Sequence, residues 1–158
     1  MIWKPYKIEI MQSVQRVFLE WKNTPYMRDQ LCKKVACDCV TFAYGFYCDL
    51  FKVAYTYISL PSLPKFSPNK ITNSLVTKKL IEIFKRRFFM KKCGNKFVQS
   101  GDLIAARTRK GLGHVFIVGV KENTVYHCDY DIGVVQSGFE EIGLKPLILR
   151  STMRELWV

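Results

Sequence analysis

Histidine is the scarcest chemistry-bearing residue of this chain, with His114 and His127 the two among 158 residues. Acidic residues are also few: 13 stand against 25 lysines and arginines, for a formal net charge of +12. No apolar run approaches the roughly 18 to 20 residues of a membrane-crossing helix, so no membrane span is expected. Glu9, Gln12 and Gln15 interrupt the one N-terminal stretch that could imitate a signal peptide, which places the start of the protein's life in a cytoplasm. Paired Cys-x2-4-Cys or His-x3-5-His elements do not occur in duplicate, so no metal site is expected. Cys32, Cys37, Cys39, Cys48, Cys93 and Cys128 follow no regular frame and are read as thiols, not as a disulfide scaffold. Repeats and low-complexity tracts are absent. With 49% hydrophobic and 14% aromatic residues, what is present suits one domain over residues 1–158, with a core of ordinary size.

Hydrophobic spacing divides the chain. Met11, Val14, Val17, Phe18 and Trp21 recur at three- and four-residue intervals, predicting an amphipathic helix over residues 8 to 21 that Thr24-Pro25 ends. A second helix is predicted from Asp38, a good N-cap, through Phe51. Pro61, Pro64 and Pro68 mark a surface connection over residues 59 to 69. A third helix is predicted from Thr72 to Met90, with Val76, Leu80, Ile83, Phe84 and Phe88 on one face and Gly94-Asn95 as its stop. The period then changes to short apolar or alternating runs at 102–107, 114–121, 124–128, 132–136 and 144–150, separated by Gly, Asn and Asp. Helices first and a strand meander after them predict an α+β domain, with helices on one face of an antiparallel sheet or half-barrel.

Cys39 follows the predicted cap directly, where the positive end of a helix dipole favours a thiolate, so it is the candidate nucleophile. Thiol catalysis also needs an imidazole base and a polar group that holds the imidazole's tautomer. His114 begins one predicted strand and His127 ends the next. A tight Glu122-Asn123 turn would set His127 opposite Val118, leaving the two imidazoles roughly 13 Å apart along the strand, so a looser turn or a bulge is required to join them.

Five words in order carry a resemblance: Trp21-Lys22-Asn23-Thr24-Pro25-Tyr26, Cys37-Asp38-Cys39-Val40-Thr41-Phe42, Ser100-Gly101-Asp102-Leu103-Ile104, Gly113-His114-Val115-Phe116-Ile117-Val118 and Tyr126-His127. Together, from about residue 8 to about residue 140, they resemble the NlpC-type cell-wall cysteine peptidases, and look closest to the branch of phages, prophages and gene transfer agents. The resemblance implies a papain-like fold without cofactor, which hydrolyses peptide bonds of peptidoglycan stem peptides or cross-links through a thioester. It implies Cys39 as nucleophile, His114 as base and His127 as its orienting partner. Tyr26 would stand beside the nucleophile to help the oxyanion or substrate, and Asp38 would cap the helix or touch the stem peptide. Val40-Thr41 stands where many members have Ser-Gly, and Phe116 where a glycine is usual, so the substrate pocket departs from the common pattern. A CHAP-type amidase ranks second among enzymes, because that class lacks an aspartate like Asp38 before its cysteine.

Ten basic residues and one acidic residue, Glu82, lie between Lys65 and Lys96. Such a segment suits attraction to polyanionic cell wall, and a solvated helix face is the plainer account. Phe88, Phe89 and Phe97 among Arg86, Arg87, Lys91 and Lys92 would also suit a small basic nucleic-acid-binding protein, but no nucleic-acid-binding module is recognisable. A third alternative is an inactive phage tail component of the same fold. The phage resemblance implies a protein made without a signal peptide, associated with the virion or released to the cell wall, with phage tail proteins as partners.

Overall fold

The computed structural model describes residues 1–55, 70–94, 97–108, 113–143 and 146–153, with residues 70–77 described by their backbone alone. The predicted connection at 59–69 lies outside the described residues. In chain order the elements are β1 (Ile2–Lys4), α1 (Ile8–Trp21), β2 (Leu31–Cys32), β3 (Ala36–Cys37), α2 (Cys39–Phe51), α3 (Lys70–Phe88), β4 (Met90–Lys92), β5 (Phe97–Gln99), β6 (Leu103–Arg107), β7 (Gly113–Val118), β8 (Thr124–Asp129), β9 (Gly133–Gly138) and β10 (Leu147–Ser151), with a 3-10 turn at Phe139–Glu141. Six strands form one antiparallel sheet in the order β4-β10-β6-β7-β8-β9. The short β1 pairs in parallel with β5. Mixed helix and antiparallel sheet is the α+β architecture that the change of period predicts.

Alternation along the strands sorts the sheet into two faces. Leu103, Val115, Ile117, Tyr126, Cys128, Val134 and Leu149 join the main core with residues of α1, α2 and α3. Ile104, Phe116, Val118, Val125 and Ile148 form a second, smaller cluster with Val98, against which Trp3 packs. The helices therefore cover one face, and the β1–β5 pair helps to close the other.

α1 buries Ile10, Val14, Val17, Phe18 and Trp21. Ile10 takes the core position expected of Met11, whose sulfur instead accepts the Tyr6 backbone N–H at 3.4 Å. α2 is buried on nearly every side, as a helix between α1, α3 and the sheet must be. The Trp21 indole lies on Gly45, where an added methyl would collide with the ring, so this mid-helix glycine is a packing requirement. α3 buries Leu80, Phe84 and Phe88, and the two phenylalanines join Tyr44 and Tyr47 in edge-to-face and tilted ring contacts. It ends at Phe88, before the predicted Met90. Phe89 is left-handed at φ 51°, and Met90 already belongs to β4. The end of β10, the strand that pairs with β4, holds this stop, since Ser151 Oγ donates to the Phe88 carbonyl and the N–H of the next residue, Thr152, to that of Phe89.

The Ser-Gly-Asp word before β6 is structural. Ser100 Oγ donates to the Gly119 carbonyl at 2.9 Å, and Gly101 sits at φ 88°. Asp102 is fully buried, accepts the Gln99 N–H and is bidentate with Arg150 at 2.9 and 2.7 Å.

Candidate active site

Asp38 caps α2 as its position predicts. Its Oδ1 accepts from the N–H groups of Val40 at 3.0 Å and Thr41 at 2.8 Å, while Thr41 Oγ1 accepts from the Asp38 N–H at 2.8 Å. Its Oδ2 accepts the Asp29 N–H at 2.8 Å, so one buried carboxylate fixes both the helix start and the loop before it. Cys39 is thereby held as the first residue of the helix. The backbone N–H groups of Val115, Cys39 and Val40 favour its thiolate, but burial outweighs them. Burial first, then the Asp38 carboxylate, push the Cys39 thiol up to about 12. The thiolate expected from the helix dipole is therefore not the resting form near neutral pH.

The segment Asn23–Tyr26 is pinned from two sides. The Asn23 N–H donates to the Val134 carbonyl and the Val134 N–H to that of Thr24, while the Cys37 N–H donates to the Pro25 carbonyl. Gly133, at φ 90°, lies against the Thr24 and Pro25 backbone, where any side chain would collide. Tyr26 is thus held alongside β3, and its ring meets that of Tyr130 at 4.8 Å. Burial first, then the Cys39, Asp38, Cys128 and Tyr130 groups, push the Tyr26 phenol up to about 12. It is a neutral hydroxyl, able to donate, within electrostatic reach of the Cys39 sulfur.

The imidazoles meet through a loop longer than the tight turn considered from the sequence. Ile117 pairs with Tyr126 and Val118 with Val125, so His127 stands opposite Phe116 and not Val118. Residues 119–123 make the connection: the Gly119 N–H donates to the Thr124 carbonyl, the Val120 N–H to the Tyr126 hydroxyl, and Asn123 takes a left-handed φ of 57°. This slip of two residues keeps the facing parity and brings His114 Nε2 to 2.8 Å from His127 Nδ1. Phe116 fills the space beside both rings, at 4.8 and 5.1 Å between centroids. Burial lowers His127 to about 4, and burial together with His127 lowers His114 to about 3. Both rings are neutral at pH 7. With Nε2 committed to His127, the atom of His114 left for proton exchange is Nδ1.

The described site residues therefore form two groups. Tyr26, Asp38, Cys39 and Cys128 interact on the helical side. His114 and His127 alternate with Val115 and Cys128 and so point to the sheet's second face. The groups adjoin at Val115, whose N–H serves the Cys39 sulfur and which follows His114 directly. Two features escaped the sequence. Ser137 Oγ lies 2.8 Å from His127 Nε2, extending the pair into a chain of three. Cys37 and Cys128 have sulfurs 3.6 Å apart, with both thiols fully buried and all six cysteines free. Among the described residues no cluster of three or more His, Cys, Asp or Glu could hold a metal ion.

No protein-family model and no curated protein matches this chain. Among solved structures, it is similar to a Staphylococcus aureus protein described as similar to lipoprotein, NLP/P60 family. The superposition has a TM-score of 0.54 at 17% identity and covers 91% of this chain but 42% of the other. At that identity the likeness is one of fold. This chain spans less than half the length of its neighbour.

Proposed function

We propose that the protein is a cysteine peptidase of the NlpC/P60 type that hydrolyses peptide bonds in peptidoglycan stem peptides or cross-links, on a papain-like version of the α+β fold. The observation that carries the reading is a helix-start thiol served by the N–H of Val115, the residue that follows His114 in the chain, together with a neutral His114 whose Nε2 is held by His127. Likeness of fold to the NLP/P60 structure supports it. The phage-branch origin, with a virion-associated or wall-released protein and tail proteins as partners, rests on the sequence words alone.

The cycle starts from neutral groups. In this reading the Cys39 sulfur attacks the substrate carbonyl carbon and its proton passes to His114 Nδ1, a step that needs the two side chains, which stand on either side of the Val115 backbone, to come within hydrogen-bond reach. Charge on the carbonyl oxygen is met by the Tyr26 hydroxyl and the Cys39 N–H. The C–N bond breaks, His114 returns the proton to the leaving amine, and a thioester remains on Cys39. Water then attacks the thioester, giving its proton to His114, which passes it to the departing Cys39 sulfur, so the carboxylic acid product is released and both groups return to their neutral forms. His127 orients His114, and Asp38 holds the helix start. Lys78, Lys79, Lys85, Arg86, Lys91 and Lys92 are exposed and would concentrate the protein on a polyanionic wall.

The test is incubation of wild-type and Cys39→Ala protein with purified sacculi, followed by mass analysis of the soluble fragments. Peptides released by the wild type alone support the reading and identify the scissile bond. Silence of both on walls of several chemotypes overturns it.

A further inference from the structure

We propose that Ser137 is a positioning residue of this site: its hydroxyl accepts the Nε2–H of His127 and so holds both imidazoles in the tautomers that leave His114 Nδ1 open to a proton. The inference rests on the reading of His114 as base and adds a residue that neither the sequence words nor the fold likeness assigns.

Three residues on three strands form one line. His114 Nε2 and His127 Nδ1 are 2.8 Å apart, and His127 Nε2 and Ser137 Oγ are 2.8 Å apart. A neutral imidazole carries one N–H, so the line allows two arrangements. In the first, His114 donates from Nε2 to His127, His127 donates from Nε2 to Ser137, and His114 Nδ1 keeps its lone pair. In the second, Ser137 donates to His127 Nε2, His127 donates from Nδ1 to His114, and His114 holds its proton at Nδ1, where it cannot act as a base. The reacting state selects between them. Once His114 has taken a proton at Nδ1, its Nε2–H must still donate to His127 Nδ1, which forces the proton of His127 onto Nε2. That N–H then needs an acceptor inside the fold, since His127 is buried, and an orphaned buried N–H is costly.

Ser137 supplies that acceptor. It stands opposite Val125 in the β8–β9 ladder, which turns it to the same face as His127. Phe116 packs beside both rings and limits their rotation. Removing the hydroxyl leaves the first arrangement with an unpaired N–H and so favours the second.

The chain has just two histidines, so a long-range proton–nitrogen NMR spectrum of their ring nitrogens, at neutral pH, reads both tautomers without ambiguity. In the wild type both rings are expected to be protonated at Nε2. In Ser137→Ala the proton of His127 is expected to move to Nδ1 in part or all of the molecules. Turnover of sacculus-derived peptides should fall about fivefold to tenfold in kcat, the rate equivalent of one neutral hydrogen bond, with KM unmoved. Ser137→Thr keeps a hydroxyl and should restore both readouts, which a loss of packing would not do. A wild-type His127 protonated at Nδ1, or a Ser137→Ala protein with unchanged tautomers, would overturn the proposal. Tautomers that follow Ser137 in a protein that releases nothing from sacculi would support the positioning and sink the hydrolase reading, so the two failures are separable.

Discussion

Acid should destabilise this protein through its imidazole pair, beginning as the pH falls below about 6.5. Burial lowers His127 to about 4 and, with His127 alongside, lowers His114 to about 3, against 6.5 for an ordinary histidine. Asp129 works in the other direction at His127 without cancelling the effect. Both folded values lie below the unfolded one, so the unfolded chain takes up protons that the native protein refuses. The stability held by the neutral pair is whole above about pH 6.5 and is lost as pH falls from there toward about 4 and then about 3. Each histidine costs about 1.4 kcal/mol per pH unit inside that window, so by pH 5 each removes about 2 kcal/mol and the pair up to about 4 kcal/mol. A domain of this size holds about 5 to 15 kcal/mol in all, so the loss is a large fraction. Urea unfolding followed by tryptophan fluorescence measures it. At an m-value of about 2 kcal/mol per molar, the midpoint should fall by about 1 to 2 M between pH 7 and pH 5. A His114→Gln, His127→Gln double variant, which cannot gain those protons, should show a much flatter dependence in the same window. A wild-type midpoint that holds steady from pH 7 to pH 5, or a double variant as acid-sensitive as the wild type, would refute the burial argument.

Four further outcomes are expected. Iodoacetamide should label Cys39 slowly at pH 7, with a rate that climbs through pH 9 and above, because burial and Asp38 hold the thiol up to about 12; rapid labelling with a plateau near neutrality would reveal a preformed thiolate. Arg150→Met leaves the fully buried Asp102 without its bidentate partner and should cost about 3 to 5 kcal/mol by urea unfolding, where a loss under about 1 kcal/mol would contradict that pairing. Gly45→Ala, despite alanine's better helix propensity, should destabilise by about 1 to 3 kcal/mol through its clash with Trp21; a stabilised variant would show that the indole can move aside. Binding of the protein to sacculi in a pull-down should weaken steeply between low and physiological salt, and salt-independent binding would remove the basic face from the account.

What the sequence made legible follows from the range of each signal. α1 and α2 declare themselves because several apolar residues repeat at helical spacing, and Asp38 with Thr41 is a local capping pair readable over four positions. β6 to β10 alternate long enough to be seen. β1, β4 and β5 span three residues each, too short for any period to show. The early end of α3 depends on Phe89 accepting a left-handed backbone, which tertiary contacts from Ser151 and Thr152 impose and which a phenylalanine does not announce.

The site divides in the same way. Residue types and their order single out Cys39, His114 and His127, yet their chemistry is set by burial. The helix dipole favours a thiolate at Cys39 but is outweighed by desolvation, a quantity that depends on everything packed around the thiol. The register that joins the imidazoles turns on how residues 119–123 spend an extra pair of positions, and neither Gly119 nor Asn123 determines this alone. Ser137 is one serine on a mixed strand. Only the pairing of Val125 with Ser137 shows that it shares a face with His127.

The central claim is that Cys39 carries the acyl group of a cleaved peptidoglycan peptide, and it can be tested on the protein itself. Wild-type protein mixed with sacculus-derived peptides, quenched in acid within the first turnovers and peptide-mapped by mass spectrometry, should show an acyl adduct on Cys39 equal to the substrate less its leaving amine. Peptide release without impairment in Cys39→Ala, or an adduct on a residue other than Cys39, would contradict the account.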